Sequence, residues 1–101
     1  MKSFRLSPEA AQDLLEIYEY IAHDSLEAAE RVRIELLEAV RNLAEMPGKG
    51  RRREDLTSRS VLFWPVRSYQ VIYSASRPLE VVAARQAEPT ANSERKIKAA
   101  V

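Results

Sequence analysis

Residues 60–84 read SVLFWPVRSYQVIYSASRPLEVVAA, and this stretch decides the fold class. It holds three apolar runs, at 60–66, 69–75 and 79–84, which are rich in the β-branched and aromatic residues that favour strands. Only residues 67–68 and 76–78 separate the runs. Connections this short join antiparallel neighbours and cannot make a parallel crossover, so we predict three consecutive antiparallel strands.

Two helical patterns precede these strands. Ser7 followed by Pro8 is typical of a helix start, because serine is a favoured N-cap and proline fits the first helical position. Apolar residues then recur at helical spacing in residues 11–22 and again in residues 29–44. A Met-Pro-Gly sequence at residues 46–48 ends the second pattern.

The two helices are expected to form an antiparallel hairpin, because the link between them is short. Asp24 and Glu27 are spaced as in a capping box, which predicts the start of the second helix. The first helix is predicted to present an apolar face made of Ala11, Leu14, Leu15, Tyr18, Ile21 and Ala22. The residues expected to pack together and onto the sheet are Leu14, Ile21, Leu36, Val40 and Leu43.

A short strand is predicted before the first helix, since residues 2–6 alternate polar and apolar side chains. The element order is then βααβββ, which favours an α+β domain with the helical hairpin packed on one face of a small, mostly antiparallel sheet. No linker divides residues 1–101, so we predict a single domain. Residues 87–101 form a polar tail in which Asn92 or Ser93 could start a short helix.

Composition narrows the functional classes. The chain has 101 residues, 46% of them hydrophobic and 31% charged, which suits one hydrophobic core. It has no cysteine and a single histidine, His23, so we expect no disulfide, no metal site and no cofactor. No apolar stretch approaches the length of a membrane span, and the N-terminus lacks the apolar core of a signal peptide, so we expect a cytoplasmic protein.

The near-neutral total charge conceals two halves of opposite sign. Residues 1–46 carry five basic and ten acidic side chains, a net charge of −5. Residues 47–101 carry eleven basic and five acidic side chains, a net charge of +6. The basic half is expected to attract an acidic partner or a phosphate backbone.

No residue pattern indicates a catalytic motif. The glutamates of the helices are spaced as on a solvated helix face, and His23 lies at a helix end, where local hydrogen bonding is the common role. Lys49 and Arg51–Arg53 form a basic cluster. The sequence supports two interpretations of it equally, a solvated loop and a binding site for an acidic partner. Trp64 and one tyrosine could face outward on the strands, although most aromatic residues there should be core. Arg67, Arg77 and Arg85 stand at strand ends or turns and suit a basic rim on the sheet.

Several segments, taken in order, resemble the ParE branch of the RelE/ParE superfamily of toxins. The first is Phe4 to Ala10 (FRLSPEA), followed by Asp13 to Ala22 (DLLEIYEYIA). The next is Leu43 to Pro47 (LAEMP) with a glycine-arginine loop after it. The last is Pro65-Val66 followed by Tyr69 and Tyr73. The resemblance extends from Phe4 to about Gln86 and rests on the order and spacing of these pieces.

The resemblance implies the toxin of a type II toxin-antitoxin system, neutralised by a ParD-like antitoxin whose C-terminal segment wraps around it. It also implies two modes of action within the superfamily. RelE-like members cleave mRNA on the ribosome with basic residues and tyrosines, whereas ParE-like members poison DNA gyrase and are not nucleases. We therefore expect a non-enzymatic gyrase inhibitor that causes growth arrest and has no direct sequence-specific contact with nucleic acid.

Individual residues depart from the ribonuclease pattern that the resemblance supplies. Gln70 takes the place of an arginine, residues 62–64 replace lysines, and no tyrosine follows Tyr73. The histidine-glycine-arginine tail common in ParE-like members is also replaced, by residues 85–88. The runner-up hypothesis is nonetheless a RelE-like endoribonuclease using Arg67, Arg85 and Tyr69 or Tyr73. A third alternative is a degenerate member that binds its antitoxin without toxicity.

The contact residues for antitoxin or target are predicted from the basic rim and the aromatic strand residues. They are Arg59, Trp64, Arg67, Tyr73, Arg77 and Arg85. We expect acidic antitoxin residues to pair with the four arginines of this set while apolar anchors lie along the helical hairpin and the sheet.

Overall fold

A short strand and a helical hairpin precede three longer strands in this chain. The structure, a computed structural model, describes residues 4–86. Its elements are β1 (Phe4–Leu6), α1 (Pro8–Ala22), α2 (Leu26–Glu45), a 3-10 turn (Pro47–Lys49), β2 (Leu62–Val66), β3 (Tyr69–Ser74) and β4 (Leu79–Gln86). The predicted order βααβββ and the α+β class are confirmed. The expected short helix in the tail lies outside the described residues.

The sheet of the described region has four strands in the order β1-β4-β3-β2. β2 pairs antiparallel with β3, and β3 pairs antiparallel with β4, as the short connections predict. β1 lies parallel to β4, with Leu6 opposite Val81, so the first and last strands are neighbours. A bulge interrupts the register of β3 and β4 between Ile72 and Tyr73.

Serine side chains cap both helices. Ser7 Oγ accepts a hydrogen bond from the Ala10 N–H at 3.0 Å, with Pro8 at the first helical position, which confirms the predicted start of α1. The capping box at Asp24 is wrong. Ser25 caps α2 instead, through the Ala28 N–H at 3.1 Å, because Asp24 lies in the turn that follows α1 and donates its N–H to the Ile21 carbonyl.

The buried face of α1 is rotated from the predicted one. Ala10 and Asp13 are buried, whereas Ala11 and Leu15 are exposed, so the predicted face was wrong at these two positions. An aspartate does not register in an apolar pattern, yet Asp13 is only 8% exposed. Its burial is possible because the folded chain supplies hydrogen-bonding partners for the carboxylate.

Apolar side chains form a cluster on each face of the sheet. The cluster on the helix side contains the buried residues Val32, Leu36, Val40, Leu43, Val71, Tyr73, Leu79 and Val81, with Leu14 and Ile21 packed against them. This confirms the predicted packing of the hairpin onto the sheet. The second cluster, Leu56, Val61, Phe63, Ile72 and Ala83, lies on the opposite face beneath the loop that precedes β2.

Neither helix in residues 4–86 is long and apolar enough to cross a membrane.

Candidate functional site

An apolar groove of about 390 Å³ lies between the two helices and β1. It is lined by Leu6, Leu14, Leu15, Ile17, Tyr18, Ala29, Glu30, Val32, Arg33, Leu36 and Leu37. Leu15 and Tyr18 belong to the apolar face that the sequence predicts for α1. Because α1 is rotated, Leu15 is 49% exposed. Its side chain lines the groove, although the sequence predicted that it would lie in the core.

One rim of the groove carries a polar network whose members satisfy one another. The Tyr18 hydroxyl donates to Glu30 Oε2 at 2.7 Å, and Arg33 Nη2 donates to Glu30 Oε1 at 2.9 Å. The hydrogen bond from Arg33 lowers the pKa of Glu30, and the bond to Glu30 raises the pKa of Tyr18. The other groove residues are apolar, so a ligand with an apolar face fits the groove.

Arg67 is held by a carboxylate of the helical hairpin. Its backbone is in the left-handed region, with φ of 56°, at the turn between β2 and β3. Its guanidinium pairs with Glu35 through two hydrogen bonds, that of Nη2 with Oε2 measuring 2.8 Å. These bonds lower the pKa of Glu35. Arg67 is exposed, but a new acidic partner would have to compete with Glu35.

Arg85 is held in the same way, by Asp13 of α1. Asp13 Oδ2 also accepts the backbone N–H of Ala84 at 3.0 Å. A single carboxylate thus ties α1 to both the backbone and a side chain of β4. Arg85 therefore has a structural role, as the counter-ion of a buried aspartate.

The four predicted arginines do not form one continuous rim. Arg67 and Arg85 lie at the end of the sheet where β3 begins, since Arg85 pairs with Gln70 in the register. Arg77 follows the other end of β3, and Arg59 precedes β2 near that same end. At about 3.3 Å per residue, β3 separates the two pairs by roughly 17 to 20 Å.

The two aromatic residues that were expected to face outward, Trp64 and Tyr73, are partly buried and buried, respectively. Tyr73 is 0% exposed and packs in the helix-side cluster. Its hydroxyl donates to the Pro47 carbonyl at 2.6 Å and accepts the Gly50 N–H at 2.9 Å, and burial raises its pKa. Trp64 is partly buried against the same cluster, with Lys49 Nζ 4.8 Å from the ring centroid. Tyr73 thus serves the fold and offers no surface to a partner.

The runner-up ribonuclease residues are not brought together on an open surface. Arg67 and Arg85 are paired with helix carboxylates, and Tyr73 is buried. Tyr69 is partly buried, and this burial raises its pKa above the ordinary tyrosine value. A general base must be deprotonated, and a raised pKa lowers the fraction of deprotonated tyrosine at neutral pH. Tyr69 is therefore poorly suited to general base catalysis.

The basic cluster after the second helix is partly neutralised. Arg52 lies 3.5 Å from Glu54, and Arg53 lies 2.9 Å from Asp55. Within residues 4–86, no group of three or more histidine or acidic side chains is arranged to hold a metal ion. The groove of the helical hairpin is therefore the feature with the clearest capacity to bind a partner.

Comparison with known proteins identifies the family. The model of the ParE toxin of type II toxin-antitoxin systems, parDE, matches residues 4–85. The chain belongs to the ParE toxin family. A solved structure described as the chromosomal ParDE toxin-antitoxin system from P. aeruginosa is similar to this ParE toxin, with a TM-score of 0.71 and 20% identity. The similarity covers 87% of this chain and 98% of that one. No curated protein matches the sequence.

Proposed function

We propose that this ParE-type toxin arrests growth in the cytoplasm by binding DNA gyrase, without catalytic residues of its own, and that a ParD-type antitoxin neutralises it. The observation that carries the antitoxin assignment is the apolar groove of the helical hairpin in a member of the ParE family. An amphipathic helix that lays its apolar face in this groove would bury Leu15 and Tyr18.

Charge supports an acidic antitoxin. Arg59 and Arg77 are exposed at one end of the sheet, and Arg67 is exposed at the other. Acidic residues of the antitoxin are expected at Arg59 and Arg77, and they would have to displace Glu35 to reach Arg67. Because these charges lie near the surface, their main effect is expected on the association rate.

Inhibition of gyrase by binding is supported by the placement of Arg67, Arg85 and Tyr73, which a ribonuclease would need on an open surface. The two arginines are ion-paired and Tyr73 is buried. The guanidinium groups that would stabilise charge on phosphate are each paired with a carboxylate of α1 or α2, so they would have to leave these carboxylates to act on phosphate. The proposed mechanism is therefore occupation of a surface of gyrase, with the binding free energy spread over several side chains.

Two matched substitutions test the antitoxin groove. Leu15 and Ile34 are 49% and 47% exposed, but only Leu15 lines the groove. Leu15→Asp should weaken binding of the ParD-type antitoxin at least about tenfold, because a charge would be buried in an apolar contact. Ile34→Asp should leave the affinity within about twofold. Equal effects of the two substitutions in calorimetric titrations would contradict the groove assignment.

Expression without the antitoxin tests the mode of action. We expect DNA damage and filamentous cells with intact mRNA, and purified toxin should inhibit supercoiling by gyrase. Codon-specific mRNA cuts that disappear with Arg67→Ala or Arg85→Ala would replace this proposal with the ribonuclease hypothesis. If high expression produced neither effect, the chain would be a degenerate member that only binds its antitoxin. A neighbouring gene for a small acidic protein with a ribbon-helix-helix start would support the toxin-antitoxin pair.

A further inference from the structure

The two layers of the fold carry opposite charge. The helical hairpin, residues 8–45, has three basic and ten acidic side chains, a net charge of −7. Residues 47–86, which supply β2 to β4 and the loop before them, have eight basic and three acidic side chains, a net charge of +5. The helical layer therefore repels a polyanion, and the sheet layer attracts one.

Arg51 projects onto the face of the sheet opposite the helices, here called the sheet face. The Phe63 N–H donates to the Arg51 carbonyl at 2.7 Å, and the Arg51 N–H donates to the Phe63 carbonyl at 2.9 Å. Residues paired in this way place their side chains on the same face, and Phe63 belongs to the cluster away from the helices. Arg51 is exposed, and none of the ion pairs within residues 4–86 involves its guanidinium.

Two further arginines of the sheet layer are only loosely held. Both neighbours of Arg5 in β1 pack on the helix side, so Arg5 itself points to the sheet face. Its side chain is 63% exposed and lies 3.7 Å from a carboxylate oxygen of Glu80. Arg52, next to Arg51 in the loop, is 52% exposed and lies 3.5 Å from Glu54. Exposed pairs of this kind contribute little to stability, so either arginine can exchange its carboxylate for a phosphate.

The basic side chains are spread across the whole width of the sheet. In the strand order β1-β4-β3-β2, Arg5 lies on one margin and Arg51 lies just beyond the other. Neighbouring strands are about 4.8 Å apart, so four spacings separate the two residues by roughly 19 Å. A strand of duplex DNA carries a phosphate about every 3.4 Å along its axis, so this face is wide enough to meet several phosphates at once.

The sheet face offers charge without exposed apolar anchors. Its apolar side chains Phe63, Ile72 and Ala83 are at most 3% exposed. The large apolar side chains that are exposed within residues 4–86 all lie in the helices or directly after them, and they are Leu15, Tyr20, Leu26, Ile34 and Met46. Protein interfaces depend on buried apolar and aromatic anchors, whereas contacts with a phosphate backbone require only cations and hydrogen-bond donors. The sheet face therefore fits duplex DNA better than an acidic protein.

We propose that the sheet face binds the phosphate backbone of duplex DNA through Arg5, Arg51 and Arg52, without reading the base sequence. This inference goes beyond the proposed function, because neither gyrase nor the antitoxin takes part in the contact. Arg67 and Arg85 add little, since each is held by a carboxylate of the helical hairpin. The apolar groove lies on the helix side, so duplex DNA and a ligand of the groove occupy separate surfaces.

Fluorescence anisotropy of a labelled duplex of about 20 base pairs, titrated with the full toxin alone, tests this contact. Binding should weaken as salt rises from about 50 to 200 mM, with a slope of log affinity against log salt of about −2 to −4, as expected for two to four phosphate contacts. A duplex of the same composition and shuffled sequence should bind within about twofold, because phosphate contacts carry no sequence information.

Charge reversals on the two layers provide matched variants. Arg51→Glu should weaken DNA binding at least about tenfold and make the salt slope shallower by about one. Arg41→Glu changes the net charge equally on the exposed side of α2 and should leave the affinity within about twofold. Arg51→Lys keeps the charge and should retain the affinity within about threefold. Arg5→Gln, on the other margin of the sheet, should weaken binding roughly threefold, and thermal unfolding of each variant verifies its fold.

Three results would overturn the proposal. The first is the absence of salt-dependent binding by the unmodified toxin. The second is an equal loss for Arg41→Glu and Arg51→Glu, which would show that affinity follows net charge and not the sheet face. The third is competition by polyglutamate as effective as that by unlabelled duplex of equal total charge, which would assign the surface to an acidic protein. Gyrase is absent from every reaction, so the outcome does not depend on whether the toxin inhibits it.

Discussion

Asp13 on α1 accepts the backbone N–H of Ala84 on β4 at 3.0 Å, across 71 positions of sequence, and the same carboxylate pairs with Arg85. This contact closes the edge of β4 and sets the rotation of α1 about its axis. Through that rotation it determines which apolar residues of the helix reach the core and which, such as Leu15, line the groove.

Removing the Asp13 carboxylate should destabilise the fold. In Asp13→Ala the buried Ala84 N–H loses its acceptor, and the cost should be about 1–3 kcal/mol in urea denaturation. Asp13→Asn keeps an acceptor for Ala84 and should cost less. Gln12→Ala, at an exposed position on the same helix, serves as the control. Equal stability of Asp13→Ala and the unmodified chain would show that the contact is unimportant.

Truncation of the core should be costly on α2. Leu36 is 2% exposed in the helix-side cluster, so Leu36→Ala should lower the free energy of unfolding by about 2–5 kcal/mol. Ile34→Ala, two positions earlier and half exposed, should cost less than about 1 kcal/mol. Thermal unfolding measures both, and an unchanged midpoint for Leu36→Ala would refute the packing of the hairpin on the sheet.

The two glycines of the loop after α2 should respond differently to alanine. A Cβ on Gly50 would lie 2.6 Å from the Tyr73 hydroxyl and 3.1 Å from Leu62 Cβ, whereas a Cβ on Gly48 would meet nothing within 4 Å. Gly50→Ala should therefore cost about 1–3 kcal/mol, because the buried Tyr73 ring must shift. Gly48→Ala should stay within about 0.5 kcal/mol. Chemical denaturation of both variants would detect the difference, and equal stabilities would exclude the close approach at Gly50.

The ion pair of Arg67 and Glu35 should make stability depend on pH at the acidic end. The hydrogen bond from Arg67 lowers the pKa of Glu35 in the folded chain below the unfolded value. The contribution of this carboxylate is therefore present above the ordinary glutamate pKa of about 4.3 and is lost as the pH falls through the lowered value.

Stability curves from pH 7 to pH 3 check this sign. Glu35→Gln should be less stable than the unmodified chain at neutral pH, and the difference should shrink as the pH falls below about 4.3. Glu38→Gln, on the exposed side of the same helix, is the control. A difference that stayed constant down to pH 3 would show that the charge of Glu35 contributes nothing.

Inhibition of gyrase by binding should give graded losses of potency. Single substitutions to alanine at Trp64, Arg67 or Arg85 should each reduce inhibition of supercoiling by moderate factors, because many surface side chains share the binding free energy. A catalytic group would instead show almost complete loss at one position. Circular dichroism of each variant, with Arg41→Ala on the exposed side of α2 as the control, would distinguish lost contacts from lost fold. Abolition of this inhibition by one substitution in a folded variant would contradict a binding free energy shared among many side chains.

The order of elements and the starts of α1, β3 and β4 could be predicted from sequence, because each depends on local patterns. Ser7 caps α1 through a residue three positions away, and two- or three-residue turns permit only antiparallel pairing of β2, β3 and β4. The apolar spacing of α2 likewise placed Leu36 and Val40 in the core. The family resemblance rested on these same ordered segments.

Tertiary structure alone decided the surfaces on which the proposed function depends, because each is set by contacts between residues far apart in the chain. The buried carboxylate of Asp13 is paired with the Ala84 N–H and the Arg85 guanidinium. The hydroxyl of Tyr73 is hydrogen-bonded to backbone groups of Pro47 and Gly50. No local pattern shows that a carboxylate or a hydroxyl will find such partners. Whether a strand edge stays open is decided in the same way, since it depends on what other segments of the chain lie beside it.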